Sequence, residues 1–129
     1  MTKLHFVHIC EEAFFSEDKK LNVIGIFDEI IASRFPAGHP KFAVVTGISG
    51  EPGNYEEIIE LLSPSGETVI KSTPKTINIA RVGQRAHFAV QFINVVFKEA
   101  GKYRVVVNID GKQVNDNDDF ILINPATRV

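Results

Sequence analysis

Residues 95–112 read VVFKEAGKYRVVVNIDGK, and this stretch decides the fold. β-branched and aromatic residues are frequent in both of its halves, which is typical of β-strands. Gly101 lies between the halves, where a glycine permits a tight corner because it has no Cβ to restrict the backbone. Asp110 and Gly111 form a dipeptide that favours the two-residue turn of a β-hairpin. The stretch therefore predicts a strand, a corner, a second strand and a hairpin, which is typical of an antiparallel β protein.

Segments with strand character continue on both sides of this stretch. Residues 84–97 show the clearest alternation, and both of their faces are largely apolar, as in a strand that is covered on both sides. Further strands are predicted over residues 4–10, 21–32, 41–49, 67–72, 76–82 and 120–124. Gly25, inside one of these segments, indicates a bulge or a close backbone approach. The pattern predicts an all-β fold, an antiparallel β-sandwich of about 7–9 strands that forms a single domain over residues 1–129.

Residues 55–62 fit two different structures. Asn54 and Glu57 have the spacing of a helix capping box, which would begin a short helix. The alternative is a strand that turns through residues 63–66 into the next strand. We prefer the strand, because the segment is short for a helix and the turn leads directly into a β-prone segment.

Two segments are predicted to lie outside the strands. Residues 11–20 form a charged connection in which Phe14 and Phe15 are an apolar island. These two side chains either form an exposed apolar knob, which would mark a partner site, or fold back to cap one end of the sandwich. Residues 35–40 are predicted to be a loop, because two prolines oppose regular pairing. From both segments we predict five partner-contact residues, which are Phe14, Phe15, Phe35, Pro36 and His39.

Residues 97–111 have the form F-x-x-x-G-x-Y-x-V-x-V-x-x-D-G, which resembles the corner and the following hairpin of immunoglobulin-like domains. By this resemblance Tyr103 takes the position of the tyrosine whose hydroxyl bonds back to the corner. Val105 stands where these domains often have a cysteine, which fits a variant without that disulfide. The resemblance implies an immunoglobulin-like β-sandwich, and it implies no particular function.

The N-terminal half is similar to a small bacterial family of uncharacterised domains. The residues that carry this similarity are Cys10-Glu11-Glu12, the pattern K-x-N-x-I-G-x-F-D-x-I over residues 20–30, and Phe35-Pro36. The pattern L-x-x-P-x-G over residues 61–66 extends the similarity. The resemblance implies no activity.

Composition limits the functional classes. A formal net charge of −2 over 129 residues argues against a nucleic-acid binder. No run approaches about 18 consecutive apolar residues, so we expect no membrane span. Cys10 is the single cysteine, which leaves no intrachain disulfide and suits a reducing compartment. Together with an N-terminus that lacks a signal-peptide pattern, this predicts a cytoplasmic protein.

No motif in the sequence indicates catalysis, a cofactor or a metal. Residues 115–119 read NDNDD and offer oxygen ligands for calcium, but Phe120 stands where an EF-hand has its turn glycine. The four histidines lack the spacing of a zinc site. Cys10 adjoins Glu11 and Glu12, whose negative charges oppose the thiolate that a nucleophile needs. We therefore expect no enzyme activity, no cofactor and no metal.

The expected function is that of a non-enzymatic interaction or structural module. It would bind a protein partner or a second copy of itself through sheet edges and end loops, because free strand edges offer unpaired backbone groups. The alternative is a small-ligand or carbohydrate-binding module of the same fold. The absence of Trp and the presence of only two Tyr weigh against that alternative.

Overall fold

The computed structural model of the protein describes residues 2–116 and 118–126. The described residues form strands and turns and contain no helix. They therefore include no helix that is long and apolar enough to cross a membrane. Eleven strands are present in this part of the chain. They are β1 (Lys3–Phe15), β2 (Leu21–Ile26), β3 (Glu29–Ala32), β4 (Ala37–Ser49), β5 (Gly53–Leu62), β6 (Thr68–Lys71), β7 (Lys75–Ile79), β8 (Ala86–Phe97), β9 (Gly101–Ile109), β10 (Lys112–Gln113) and β11 (Phe120–Pro125).

The strands form two sheets. Sheet I has the order β2-β1-β4-β8, and sheet II has the order β3-β11-β9-β5-β6 with β10 beside β9 and β7 beside β5. The pairing is antiparallel except between β3 and β11, which run parallel. The predicted all-β sandwich is confirmed. The eleven strands exceed the predicted seven to nine, partly because residues 21–32 divide into two strands and β10 is only two residues long.

The main core lies between the inner faces of the two sheets. Large apolar side chains with almost no exposed surface come from both sheets, among them Phe42, Val44 and Phe92 of sheet I and Ile59, Val107 and Ile121 of sheet II. Burial of each such side chain stabilises the fold by about 1.5–3 kcal/mol before the loss of chain entropy is counted. In the long central strands every second side chain points into this core, and these side chains are therefore mostly apolar.

A smaller apolar cluster covers part of the outer face of sheet I. Cys10, Ala13, Ala43 and Val45 are buried there, and Leu21 and Val23 of β2 pack against them. β4 therefore buries both of its faces, because Phe42 and Val44 point into the main core while Ala43 and Val45 point outward. Cys10 is fully buried in this cluster, as expected for a structural cysteine.

The corner between β8 and β9 has the geometry that the sequence predicts. The Tyr103 hydroxyl donates a hydrogen bond of 2.8 Å to the carbonyl oxygen of Glu99. The Tyr103 ring meets the Phe97 ring edge-on, at 4.9 Å between centroids. Gly101 has a φ of 141°, and a Cβ at this position would lie 2.7 Å from Cγ of Pro64. Glycine is therefore required both by the backbone and by the neighbouring chain.

Two segments that were predicted as connections belong largely to strands. β1 continues to Phe15, so the predicted connection over residues 11–20 is wrong except at residues 16–20. β4 begins at Ala37, and His39 pairs with Val95, so the predicted loop over residues 35–40 is also wrong beyond Pro36. Pro40 is tolerated because the pairing of β1 with β4 reaches only to Ala43, which leaves this end of β4 at an edge of the described sheet.

The predicted strand over residues 21–32 changes sheets partway along. β2 lies in sheet I and β3 in sheet II, and the chain crosses between them at Phe27 and Asp28. The expected backbone irregularity at Gly25 is present, since its φ is 72° and a Cβ there would lie 3.1 Å from Cγ of Glu11. The strand preferred for residues 55–62 is confirmed by β5.

Candidate partner-binding groove around His39

The crossing between the two sheets forms one wall of a surface groove. The Phe27 amide donates to the Ile9 carbonyl at 2.9 Å in sheet I, and the Leu122 amide donates to the Asp28 carbonyl at 2.7 Å in sheet II. One hydrogen bond to each sheet thus fixes the crossing residues. The groove beside them has a volume of about 630 Å³. We call it the His39 groove, and its principal residues are Glu11, Ile24, Phe27, Ile30, His39 and Lys41.

The floor of the His39 groove is aromatic and aliphatic. The His39 ring lies between two phenylalanine rings, with centroid distances of 6.2 Å to Phe27 and 6.1 Å to Phe42. Phe42 belongs to the main core and has no exposed surface, so it anchors this ring cluster to the body of the sandwich. Ile24 borders the groove and leaves 51% of its surface exposed. The groove therefore presents apolar surface that is backed by the main core.

Carboxylates outnumber ammonium groups around the groove. Glu11, Glu12 and Glu29 line it together with a single lysine, Lys41. The Lys41 ammonium lies 3.7 Å from a Glu12 carboxylate oxygen, but both side chains are about half exposed, so this pair contributes little stability. Glu29 accepts a hydrogen bond from the Asn124 side-chain amide. The groove as a whole has an excess of negative charge.

A second concavity of about 390 Å³ continues from the His39 groove. Both concavities are lined by Ile30 and His39, so they share a boundary. Ile31 and Pro36 line the second concavity, and 59% of the Ile31 surface is exposed. The concave surface therefore extends from β2 across the sheet crossing to the start of β4, and Ile31 and Pro36 add apolar side chains to this otherwise polar end.

The structure brings together some of the predicted contact residues and separates others. Pro36 and His39 line the concavities just described. Phe35 is half-buried and packs against the main core instead. Phe14 and Phe15 lie at the end of β1 with 46% and 45% of their surfaces exposed, and they line neither concavity.

Sequence reasoning missed Ile24, Ile30 and Ile31. These residues lie in the segment that was predicted as one continuous strand, where an isoleucine is expected to be buried. The signal that could have identified them is the pair Gly25 and Asp28, which interrupts the apolar run where the chain leaves sheet I.

Metal ligation finds no support in the described part of the chain. Among residues 2–116 and 118–126, no three His, Cys, Asp or Glu side chains are grouped so that they could hold a metal ion. Asn115, from the acidic segment, instead braces β9, because its side-chain amide donates to the Val105 carbonyl at 2.7 Å and its oxygen accepts from the Val107 amide at 2.9 Å. Asn117 of the same segment lies outside the described residues.

The strongest electrostatic perturbation lies in the core and not in the groove. Glu57 on β5 is fully buried, and its Oε2 accepts a hydrogen bond of 2.5 Å from the Thr46 hydroxyl on β4. Burial raises the pKa of Glu57 to about 7, although the Thr46 hydroxyl lowers it slightly. Burial likewise raises the pKa of the Cys10 thiol, which opposes its ionisation.

By its fold the protein belongs to the class of all-β sandwiches. It has a groove where the chain crosses between its two sheets. A family model described as "Family of unknown function (DUF6941)" matches residues 5–117. The chain belongs to this family, which confirms the predicted membership of a small uncharacterised family. No curated protein matches the sequence. The chain is also similar to the crystal structure of an immunoglobulin-like protein from Pseudomonas aeruginosa, with 15% identity, a TM-score of 0.45, and coverage of 96% of this chain and 97% of that chain.

Proposed function

We propose that the protein is a non-enzymatic interaction module that binds a protein partner in the His39 groove. The observation that carries the proposal is the apolar lining of this groove at the sheet crossing, where 51% of the Ile24 surface is exposed beside Phe27 and Ile30. Contiguous apolar surface that is bordered by polar groups is typical of interaction sites. The contact of the His39 ring with the buried Phe42 ring adds to this, since a preformed surface loses little entropy when a partner binds.

The charges around the groove favour a basic partner. Three glutamates and one lysine line it, and that lysine already lies beside Glu12. Complementary charge across an interface raises the association rate and suppresses binding of like-charged partners. The occupant we propose is therefore a segment of another protein that combines apolar side chains with Lys or Arg. In this proposal the module works in a bacterial cytoplasm and needs no disulfide for its stability.

Panning of a random peptide library against the folded protein tests the proposal. Wild type should enrich peptides that carry apolar residues and a net positive charge. Ile24→Asp places a charge in the groove and should weaken the enriched peptides by at least about tenfold, which corresponds to about 1.4 kcal/mol. Because Ile24 is exposed, the variant should keep the thermal stability of wild type. Val82→Asp is the matched control, since Val82 is 71% exposed and does not line the groove.

The contribution of charge to peptide binding is tested separately. Glu11→Lys should weaken the same peptides, and added salt should weaken their binding to wild type, because screening reduces attraction between exposed charges. Peptides that bind wild type, Ile24→Asp and Val82→Asp equally would exclude the groove as the site. A concentration-dependent dimer that Ile24→Asp abolishes would assign the surface to a second copy of the chain and contradict the proposal.

A further inference from the structure

A second groove of about 440 Å³ lies on the outer face of sheet I, on the side that faces away from the main core. We call it the Phe6 groove, and its principal residues are Phe6, His8, Lys19, Lys20, Leu21 and His87. The connection between β1 and β2 supplies the two lysines, so this hairpin bends back over the outer face of the sheet. The groove shares no lining residue with the His39 groove.

Three aromatic rings form one side of the Phe6 groove. The Phe6 ring stacks on the His8 ring at 5.2 Å with an angle of 22° between planes. The same ring lies 5.8 Å from the His87 ring, at an angle of 36°. The rings come from β1 and β8, the two strands on either side of β4. An aromatic surface therefore extends across the sheet.

Gly47 makes this ring arrangement possible. In the strand register Gly47 pairs with Phe6 on one side and with His87 on the other. A Cβ at Gly47 would lie 2.3 Å from Cε2 of Phe6, so any other residue would displace the ring. A glycine inside a central strand costs stability and often marks a position where another group approaches closely. Here the group that approaches is the Phe6 ring.

The Phe6 groove is cationic, in contrast to the acidic His39 groove. Lys19 and Lys20 line it, and its described lining includes no carboxylate. The Lys20 ammonium lies 3.2 Å from the Asp18 carboxylate, but both side chains are mostly exposed, so this pair is weak and leaves the ammonium available to an anion. Leu21 adds apolar surface beside the rings.

We propose that the Phe6 groove binds a small ligand that carries a flat aromatic ring and an anionic group, the chemistry of a nucleoside 5′-monophosphate. The ring of the ligand stacks on the Phe6, His8 and His87 cluster, because offset stacking is the favoured arrangement of aromatic pairs. The anionic group faces the ammonium groups of Lys19 and Lys20. The volume of about 440 Å³ lies in the range of small-molecule sites, about 300–1,000 Å³. This site is independent of the proposed partner-binding groove.

Isothermal titration with AMP and UMP tests the proposal, with adenosine and ribose 5-phosphate as matched probes. Adenosine has the ring without the charge, and ribose 5-phosphate has the charge without the ring. If both elements are recognised, each nucleotide should bind at least about tenfold more tightly than either partial probe. Failure of both AMP and UMP to bind at about 10 mM would overturn the proposal, as would equal binding of ribose 5-phosphate.

Variants locate the binding on the protein. His87→Ala and Lys19→Ala alter exposed side chains, so both should fold and each should weaken AMP binding several-fold. Lys112→Ala removes an exposed lysine outside the groove and should bind AMP as wild type does. AMP binding that neither groove variant changes would place the ligand elsewhere and overturn the assignment. Tight binding of a short single-stranded RNA, with weak binding of AMP, would replace the small ligand by a nucleic-acid strand.

Discussion

Replacement of Glu57 by glutamine tests how the sandwich tolerates a carboxyl group in its core. Glu57 has no exposed surface, and the Thr46 hydroxyl that donates to its Oε2 at 2.5 Å belongs to the opposite sheet. Its Oε1 has no hydrogen-bond partner among the described residues. A buried carboxylate with one hydrogen bond is poorly solvated, which is why burial raises the pKa of Glu57 from an ordinary value of 4.5 to about 7.

The contribution of Glu57 to stability is therefore greater in acid than in base. Between pH 4.5 and about 7 the folded protein retains a proton that the unfolded chain has released, so the free energy of unfolding falls as the pH rises through this range. Above that range the loss of stability is complete and does not grow further. At about 1.4 kcal/mol per pH unit, the total loss is about 3 kcal/mol. Glutamine keeps an oxygen that can accept from Thr46 and has no charge, so Glu57→Gln avoids the loss.

Urea unfolding of wild type and Glu57→Gln near pH 4 and near pH 8.5 measures the effect. The stability of the variant relative to wild type should increase by about 3 kcal/mol between the two conditions. Titration of the other carboxyl groups is common to both proteins and cancels in this difference. Glu56→Gln, which alters an exposed glutamate on the same strand, should follow wild type at both pH values. A difference between Glu57→Gln and wild type that does not change with pH would refute the argument.

Three further substitutions test the corner and the ring cluster. Tyr103→Phe deletes the hydroxyl that bonds to the corner backbone and should lower the free energy of unfolding by about 1 kcal/mol, whereas an unchanged urea midpoint would contradict this role. Gly101→Ala should cost more than about 2 kcal/mol, since its φ is positive and its Cβ would contact Pro64; thermal unfolding like that of wild type would contradict the close approach. Gly47→Ala should be destabilising mainly through Phe6, so a double-mutant cycle with Phe6→Ala should show strong coupling, and simple additivity would exclude the clash.

The corner between β8 and β9 could be predicted because its determinants are local. Gly101 and Tyr103 are two residues apart, and the hydroxyl of Tyr103 reaches a carbonyl only four residues upstream. Hairpin turns such as the one at Asp110 and Gly111 are equally local, since two residues determine the backbone conformation. In the structure both of these residues have positive φ, as the turn requires.

Strand ends and sheet assignment could not be predicted in the same way. A charged segment such as Glu11 and Glu12 reads as a connection, yet it continues β1 because it lies where the sheet is exposed to water. The apolar run that begins at Leu21 has the residue pattern of a single strand, and this pattern does not indicate to which sheet the strand belongs. Only the distant partners, Ile9 for Phe27 and Leu122 for Asp28, show that the chain crosses between sheets.

The candidate site could be predicted only in part for the same reason. Pro36 and His39 were predicted as contact residues because two prolines indicated a loop over residues 35–40, although the strand β4 in fact begins at Ala37. Ile24 and Ile31 were missed, since an isoleucine in a β-prone run is expected to be buried. Whether such a side chain is exposed depends on which neighbouring strands cover it, and the local sequence does not show this. Strand β2 is an edge of sheet I and strand β3 is an edge of sheet II, so neither has a neighbour on its outer side among the described strands.

Net charge is an equally poor guide to the ligands proposed for this protein, because opposite charges are concentrated in different grooves. Glu11 and Glu12 border the His39 groove, whereas Lys19 and Lys20 border the Phe6 groove, although all four lie within one hairpin. A total of −2 hides this separation. Salt screens exposed charges beyond about one Debye length, roughly 8–10 Å at physiological salt, so the charges that line a groove act most strongly on its ligand. The two proposed occupants, a basic peptide and an anionic ring compound, should therefore bind without competing, and both should weaken as salt is added.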